Sequence, residues 1–565
     1  DTAPFHHWSS IYAYIRQSMI LLEHIKPVGD PNSLSDTYLS SVQVERMKME
    51  AKFFIAYNYL SLFELYGPVP IIKEIADPND PNFTDYPRAS VDEMVAYIDG
   101  LFGEVINSDA IPETTFASGG ASENRDHSDH NNAKYALSEA VRPTKAAALA
   151  LRARLWVYAA SPLFNGGYTE AVQTVNYDGT PIFPASNPEK WKTAKQHLET
   201  FLNFAEDMGY GLFEVEEEGI VNADKSVYEL FQYYNDEIIW ATNQNGYYAV
   251  SSAMEKRSNP RGVYNGWANL GVFQETVDAF FMRNGQRPII GYNSDGSPKV
   301  NPDANYSETG FSTQKETYST KWQYGSSEGD RNKDENVVVD ANTYKMYCDR
   351  EPRFYISVLH NEQWHIGGKR NTDFYMDGKD GGPSHDAPWS GYLVRKRVDP
   401  SANPKEGSGD YKNRHGALCR LAEIYLSYAE ALNEYSIEKG TYTANQNEIL
   451  KYVNLIRERA GIPEYSVSAE EGKITAPSDP VEMRELIRQE RRVELNCESG
   501  LRFNDLRRWK LAEKVLDGDF YGMNAYIKVS DADYRNKYYT RTVYQTRKFI
   551  SYWWPIPQDD IDKNW

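Results

Sequence analysis

The sequence predicts a mainly α-helical protein: a tetratricopeptide-like superhelix of four helix pairs, interrupted by a large loop-rich insert. Three observations lead there. Apolar residues recur at helical spacing in two blocks, one from the start to about residue 210 and one from about residue 416. Small residues such as Ala147, Ala153, Ala429 and Ala431 fall mid-helix beside large aromatics, as they do where paired helices approach closely. Between the blocks, residues 211–415 are rich in Gly, Asn, Asp, Ser and aromatics and show little periodicity. Loop-rich stretches of that length usually carry function. The expected organisation is 1–210 N-terminal helical repeats, 211–415 loop-rich aromatic insert and ligand-binding region, and 416–565 C-terminal helical repeats, in one compact body.

Each helix has a local reason. VERMKMEAKFFIAYNYLSLFELYG (Val44–Gly67) is apolar at helical spacing and stops at Gly followed by Pro. SVDEMVAYIDGLFGEV opens on Ser90 with Glu93 three residues on, a capping box. RPTKAAALALRARLWVYAAS (Arg142–Ser161) is Ala-rich with Pro near its start. NPEKWKTAKQHLETFLNFAED (Asn187–Asp207) is expected to be capped by Asn187 with Pro188 at the first helical position. The second block supplies ALCRLAEIYLSYAEALNEY, ANQNEILKYVNLIRERAG, PVEMRELIRQERRVELNCES and LRFNDLRRWKLAEKVL, two further pairs.

Composition limits the function. The formal net charge is −20, which argues against wrapping nucleic acid, because phosphate contacts want Lys and Arg. The three cysteines, Cys348, Cys419 and Cys497, are far apart and form no zinc-like cluster. No apolar run reaches membrane-spanning length. The first residue is Asp, so a mature or trimmed chain is expected, with any anchor upstream. The 42 Tyr, 22 Phe and 12 Trp are the unusual feature. Tyr combines an apolar ring with a hydroxyl that tolerates water, which suits half-exposed binding surfaces as well as cores.

RRVELNCESGLRFNDLRRWK (Arg491–Lys510) concentrates charge. At about 100° per residue, Glu490, Glu494 and Glu498 share a helix face with Met483, Leu486, Ile487, Val493 and Cys497. In the next helix Arg502 and Asp505 share a face with Leu506, Trp509 and Leu516. Carboxylates in an apolar stripe need cations or shifted pKa values. One reading is a catalytic acid pair such as glycosidases use. The favoured reading is an ion-pair lattice in a helix seam, because the neighbouring arginines would neutralise acids that catalysis needs free.

The run IRQERRVELNCESGLRFNDLRRW resembles the C-terminal signature of the SusD/RagB family, outer-membrane glycan-binding lipoproteins of Bacteroidetes. Arg488, Glu490, Arg491, Glu494, Leu495, Glu498, Gly500, Arg502, Asp505, Leu506, Arg508 and Trp509 carry the match. ELYGPVPII, ALALRARLWVYAASPLFNGG, DREPRFYISVL, LCRLAEIYLSYAEALNE, YVNLIRERAG and WWPIPQDDIDKN follow in the family's order. The start, DTAPFHHWSSIYAYIRQSM, resembles a segment well inside a family member, so the lipid-bearing cysteine and some dozens of residues are expected upstream. The resemblance implies a lipid-anchored surface protein that captures an oligo- or polysaccharide and hands it to a SusC-like TonB-dependent transporter, without catalysis. It also implies that the repeats face the transporter, while the insert and the chain start hold the sugar.

Sugars present flat C–H faces, which aromatic rings cover, and hydroxyl rims, which Asn, Asp and Arg bond. The expected ligand wall is Tyr247, Tyr248, Arg261, Tyr264, Trp267, Trp322, Trp364, Trp389 and Tyr392, with His7 and Trp8 from the chain start. Packing is the alternative for each of the rings. Trp267 adjoins the helix-like QETVDAFFMRNG, and Trp8, Tyr12 and Ile15 have core spacing. The acidic balance favours a neutral sugar, subject to local charge. No cofactor is expected. YNSDGSP and GDRNKDEN offer oxygens that would suit a structural calcium but lack a full EF-hand pattern, and His127, Asp129 and His130 read as a solvated loop. Two rivals stand beside the glycan-binding reading: a scaffold that binds protein segments only, and a glycoside hydrolase using Glu490 and Glu494.

Overall fold

The computed structural model describes residues 7–29, 38–75, 86–116, 139–242, 254–317, 337–382, 385–399, 415–498 and 500–562. Among the described residues, nine helices build the scaffold: α1 (Trp8–His24), α2 (Ser41–Tyr66), α3 (Val91–Ile106), α4 (Lys145–Ala160), α5 (Glu189–Met208), α6 (Leu421–Lys439), α7 (Tyr442–Arg459), α8 (Pro480–Glu494) and α9 (Leu501–Arg508). Six strands matter below: β1 (Ile238–Ala241), β2 (Val358–His360), β3 (Tyr392–Val394), β4 (Ala417–Arg420), β5 (Gly518–Gly522) and β6 (Thr542–Arg547). They pair antiparallel as β1–β4, β2–β3 and β5–β6.

Helix ends follow their sequence signals. Ser90 and Glu93 form the reciprocal capping box at α3. The chain leaves α2 at Gly67, whose φ of 74° is left-handed and whose missing side chain makes room for Trp553. Helix α5 starts one residue later than the sequence suggests: Pro188 is its cap, while the Asn187 side chain accepts from the Glu189 amide.

The helices form a continuous array in which α1 packs on α2, α2 on α3, α3 on α4, and α4 on α5. The next neighbour of α5 is α6, across the whole insert. Helix α6 then packs on both α7 and α8. It is buried around most of its circumference, and Ala422, Ala429 and Ala431 keep its neighbours close. One core lies among α1–α4 and takes in Trp240. A second joins α4 and α5 to α6, α7 and α8. A third fills the insert and includes Val493, Met523, Tyr538 and Tyr539 from the C-terminal block. The β1–β4 pair sits where the insert departs and returns. There the Trp240 indole donates to the Val141 carbonyl and its ring meets Phe53 and Tyr57 edge-on.

Candidate functional site

The charged signature forms a buried lattice. Glu490 lies 2.7 Å from Arg353 and 3.1 Å from Arg457. Glu494 meets Arg353 at 3.1 Å and Arg420 at 2.8 Å, and also pairs with Arg459. Glu498 meets Lys396 at 2.6 Å and Arg420 at 2.7 Å. Glu237 joins through Arg420 at 2.6 Å and Arg459 at 2.8 Å, and Glu351 through Arg353 at 2.6 Å. Acids and bases match in number, as burial of charge demands. Burial pulls the Glu494 carboxyl up, but Arg459, Arg420 and Arg353 outweigh it and hold it well below the usual range. The same contest brings Glu498 down to about 2. A second cluster sits beside it: Asp505 accepts from Arg491 at 2.7 Å and Arg508 at 2.9 Å, while Glu430 accepts from Arg508 and from the Trp509 indole at 2.6 Å.

Arg502 departs from the expected seam. Asp505 is occupied by Arg491 and Arg508, and among the described residues no carboxylate lies within ion-pair distance of Arg502. It is half-buried on the wall of a cavity instead.

The expected ligand wall divides. Tyr392 is a core residue, fully buried, because it opens the wholly buried strand β3; its hydroxyl bonds Gln274 at 2.5 Å and Tyr347 at 3.0 Å. Trp364 is 8% exposed in a short hairpin, and Trp8 is 8% exposed against Tyr12 and Tyr66. These three are corrected to packing residues. His7 is exposed at the start of α1. Tyr247, Tyr248 and Trp322 lie outside the described residues, as do His127, Asp129, His130 and GDRNKDEN. YNSDGSP forms the turn of a short hairpin, with Asp295 accepting from Ser297. Among the described residues, no group of three or more His, Cys, Asp or Glu is arranged to hold a metal ion.

Arg261, Tyr264, Trp267 and Trp389 are half-buried on a set of loops tied to one another. Asp380, fully buried, is the knot: it accepts from the Gly262 amide at 3.1 Å, the Asp373 amide at 2.8 Å and Arg370 twice at 2.6 Å. A side chain at Gly262 would collide with Arg370 and Asp380, so the loop needs glycine there. The 370–380 loop in turn holds the 524–531 loop, through Met376 to the Ile527 carbonyl and Val529 to Asp377. That contact brings Tyr526 to Trp389, with ring centres 5.4 Å apart and planes tilted 38°. Tyr526 is 66% exposed, so the pair presents an aromatic shelf to solvent. Trp267 is engaged by cations, Lys256 at 4.5 Å and Arg257 at 5.3 Å from its ring centre. Sequence reading missed Tyr526, although MNAY carries the same Asn-flanked aromatic signal used for the insert.

A helical array closed by an acidic–basic lattice, with aromatic loops displayed from an insert, defines a class of repeat-scaffold binding protein. The family model described as the SusD family matches residues 236–565, more than half of the chain, and a second, described as starch-binding associating with outer membrane, matches residues 1–104. The chain belongs to the SusD family. The structure is similar to that of BT4246, at 21% identity over 99% of this chain and 88% of that one, with a TM-score of 0.68. It is also similar to a SusD-like protein (BF3747) from Bacteroides fragilis, at 23% identity, 98% and 84% coverage and a TM-score of 0.62. A SusD-like carbohydrate binding protein (BF0978) from Bacteroides fragilis matches at 18% identity, 99% and 84% coverage and a TM-score of 0.63. No curated protein matches the sequence. Among the described residues, no helix is long and apolar enough to cross a membrane.

Proposed function

We propose that the protein is a surface glycan-binding protein that captures an oligo- or polysaccharide and passes it to a SusC-like TonB-dependent transporter. On this reading a lipid attached upstream of residue 1 tethers it to the outer membrane. The observation that carries the glycan part is the exposed Trp389–Tyr526 shelf, with Tyr264 and Arg261 on the adjoining loop. Rings of this kind cover the C–H faces of sugars, and the polar loop groups meet the hydroxyls. Membership of the SusD family and the starch-binding, outer-membrane description of the model matching residues 1–104 support the same reading.

Binding without bond chemistry fits the acids of the signature. Glu490 and Glu494 are each held by two or more guanidinium groups, a poor setting for an acid–base pair that needs one free, protonatable carboxyl. The test is a binding screen of defined polysaccharides with the wild type and the Trp389→Ala/Tyr526→Ala variant. Retention of a glycan by the wild type and about tenfold weaker binding by the variant is the expected result. Reducing ends appearing during incubation would replace the reading with a hydrolase. Silence across the glycans, with capture of a protein partner, would replace it with a protein scaffold.

A further inference from the structure

A cavity of about 730 Å³ lies between the signature helices and the hairpin of residues 289–300. It shares no lining residue with the Trp389–Tyr526 shelf. Its volume falls within the range of about 300–1,000 Å³ usual for small-molecule sites. Phe273, Glu275, Tyr292, Arg492, Arg502 and Phe520 supply its chemistry.

Three arginines line it, Arg492, Arg502 and Arg547. Arg492 donates to the backbone carbonyl of Glu275. Among the described residues, neither Arg492 nor Arg502 has a carboxylate within ion-pair distance, whereas the neighbouring Arg491 and Arg508 each have one. Burial, and then repulsion from Arg492, bring the Arg502 guanidinium down to about 9, so it is still charged at neutral pH. Two guanidiniums with unused donors on one wall can offer charge-assisted bonds to an anion.

The remaining lining fits a sugar. Phe273 and Phe520 stand with ring centres 4.9 Å apart and give an apolar surface. Glu275 Oε1 accepts from the Tyr521 amide, while among the described residues its buried Oε2 has no partner, an acceptor for a hydroxyl. The mouth is mixed in sign. Asp517 and Asp519 there already accept from the Phe549 amide and the Thr546 hydroxyl, and the Arg547 guanidinium lies 4.7 Å from the Phe273 ring centre.

We propose that this cavity binds an acidic saccharide unit, its carboxylate or sulfate held by Arg492 and Arg502, its ring against Phe273 and Phe520, and a hydroxyl on Glu275. The saccharide part rests on the proposed function; the oxyanion part rests on the two arginines alone. The protein would thus read charge at one site and sugar faces at another. The overall charge of −20 favours neutral ligands, and this wall is where that preference reverses.

Calorimetric titration of the full chain tests it with a galacturonate oligomer, the methyl-esterified neutral oligomer, a sulfated oligosaccharide and inorganic sulfate. One of the two acidic saccharides should bind better than the neutral one. Arg502→Gln should weaken that binding by about 10-fold or more, the loss expected for a charge-assisted bond. Arg502→Lys should retain part of it. Because Arg502 has no ion pair to lose, Arg502→Gln should melt no lower than wild type. Equal binding by wild type and Arg502→Gln, or no binding by either acidic saccharide, overturns the proposal. If inorganic sulfate binds as tightly as the saccharides, the oxyanion site stands and its saccharide ligand does not.

Discussion

Glu494 is gripped by guanidiniums from three separate places in the chain: Arg353 in the insert, Arg420 at the end of β4 and Arg459 at the end of α7. Removing it leaves buried cations without their counter-charge. We expect Glu494→Ala to cost about 3–5 kcal/mol in urea unfolding; a loss below 1 kcal/mol would mean the lattice tolerates a gap. Acid should undo the lattice too. Glu498 and Glu430 are each brought down to about 2, from an ordinary 4.5, by their arginines working against burial. A depressed carboxyl stabilises the fold above its unfolded value and loses that contribution as pH falls through its folded one. Stability should therefore decline between about pH 4.5 and 2, and urea midpoints that stay flat across that window would contradict it. The acids were legible, since a four-residue spacing on an apolar stripe announces buried carboxylates. Most of their partners were not, because Arg353, Arg420 and Lys396 lie far away in sequence. The rings of APWSGY show the same limit: Trp389 stays on the loop and Tyr392, three residues on, enters a buried strand.

Helices were the most readable elements. Caps, breakers and periodicity are local, so α2 and α3 begin and end close to where their signals stand. Replacing Ser90 with Ala should lower stability by about 1 kcal/mol, measured by thermal unfolding, because it removes one half of the capping box. Packing order was less readable. Hairpin reasoning pairs sequence neighbours, whereas α5 lies against α6, with the insert between them in the chain. Within this array Glu64 on α2 is out of keeping with its surroundings. Burial raises its carboxyl to about 7 even though Arg154 pulls the other way. A raised carboxyl favours the fold below its unfolded value of 4.5 and opposes it increasingly as pH rises towards 7. Glu64→Gln should hence flatten the decline in melting temperature from pH 5 to 8; an unchanged slope would show that Glu64 does not titrate there.

At the scale of the molecule, the aromatic shelf rests on loops that hold one another and have little regular structure of their own. Asp380 ties two of them, so Asp380→Ala should loosen the shelf as well as the fold. Trp389→Ala/Tyr526→Ala, by contrast, should leave melting within a degree or two. It should weaken glycan binding about tenfold, on roughly 1.5 kcal/mol of lost ring contact. A glycan that binds the double variant as well as wild type would place the wall elsewhere. The sequence pattern pointed to aromatic loops but could not sort shelf from core, because exposure depends on which distant loop lands on each ring. Tyr526 belongs to the shelf only because Met376 and Asp377 hold its loop there.

The β1–β4 pair carries one more consequence, for the order in which the chain assembles. Its strands hold both feet of the insert, and α5 gains its next neighbour, α6, only once the chain has returned past residue 420. Contacts this distant in sequence are slow to form, because the intervening chain must be closed before they bring any gain. During synthesis the first five helices would emerge with one flank bare, and the array would be sealed only by the C-terminal block. A fragment ending at residue 242 is accordingly expected to show helical circular dichroism without a sharp melting transition, and a cooperative melt would refute that order. The sequence that gives the protein its family signature is, on this view, also the last part of the array to fall into place.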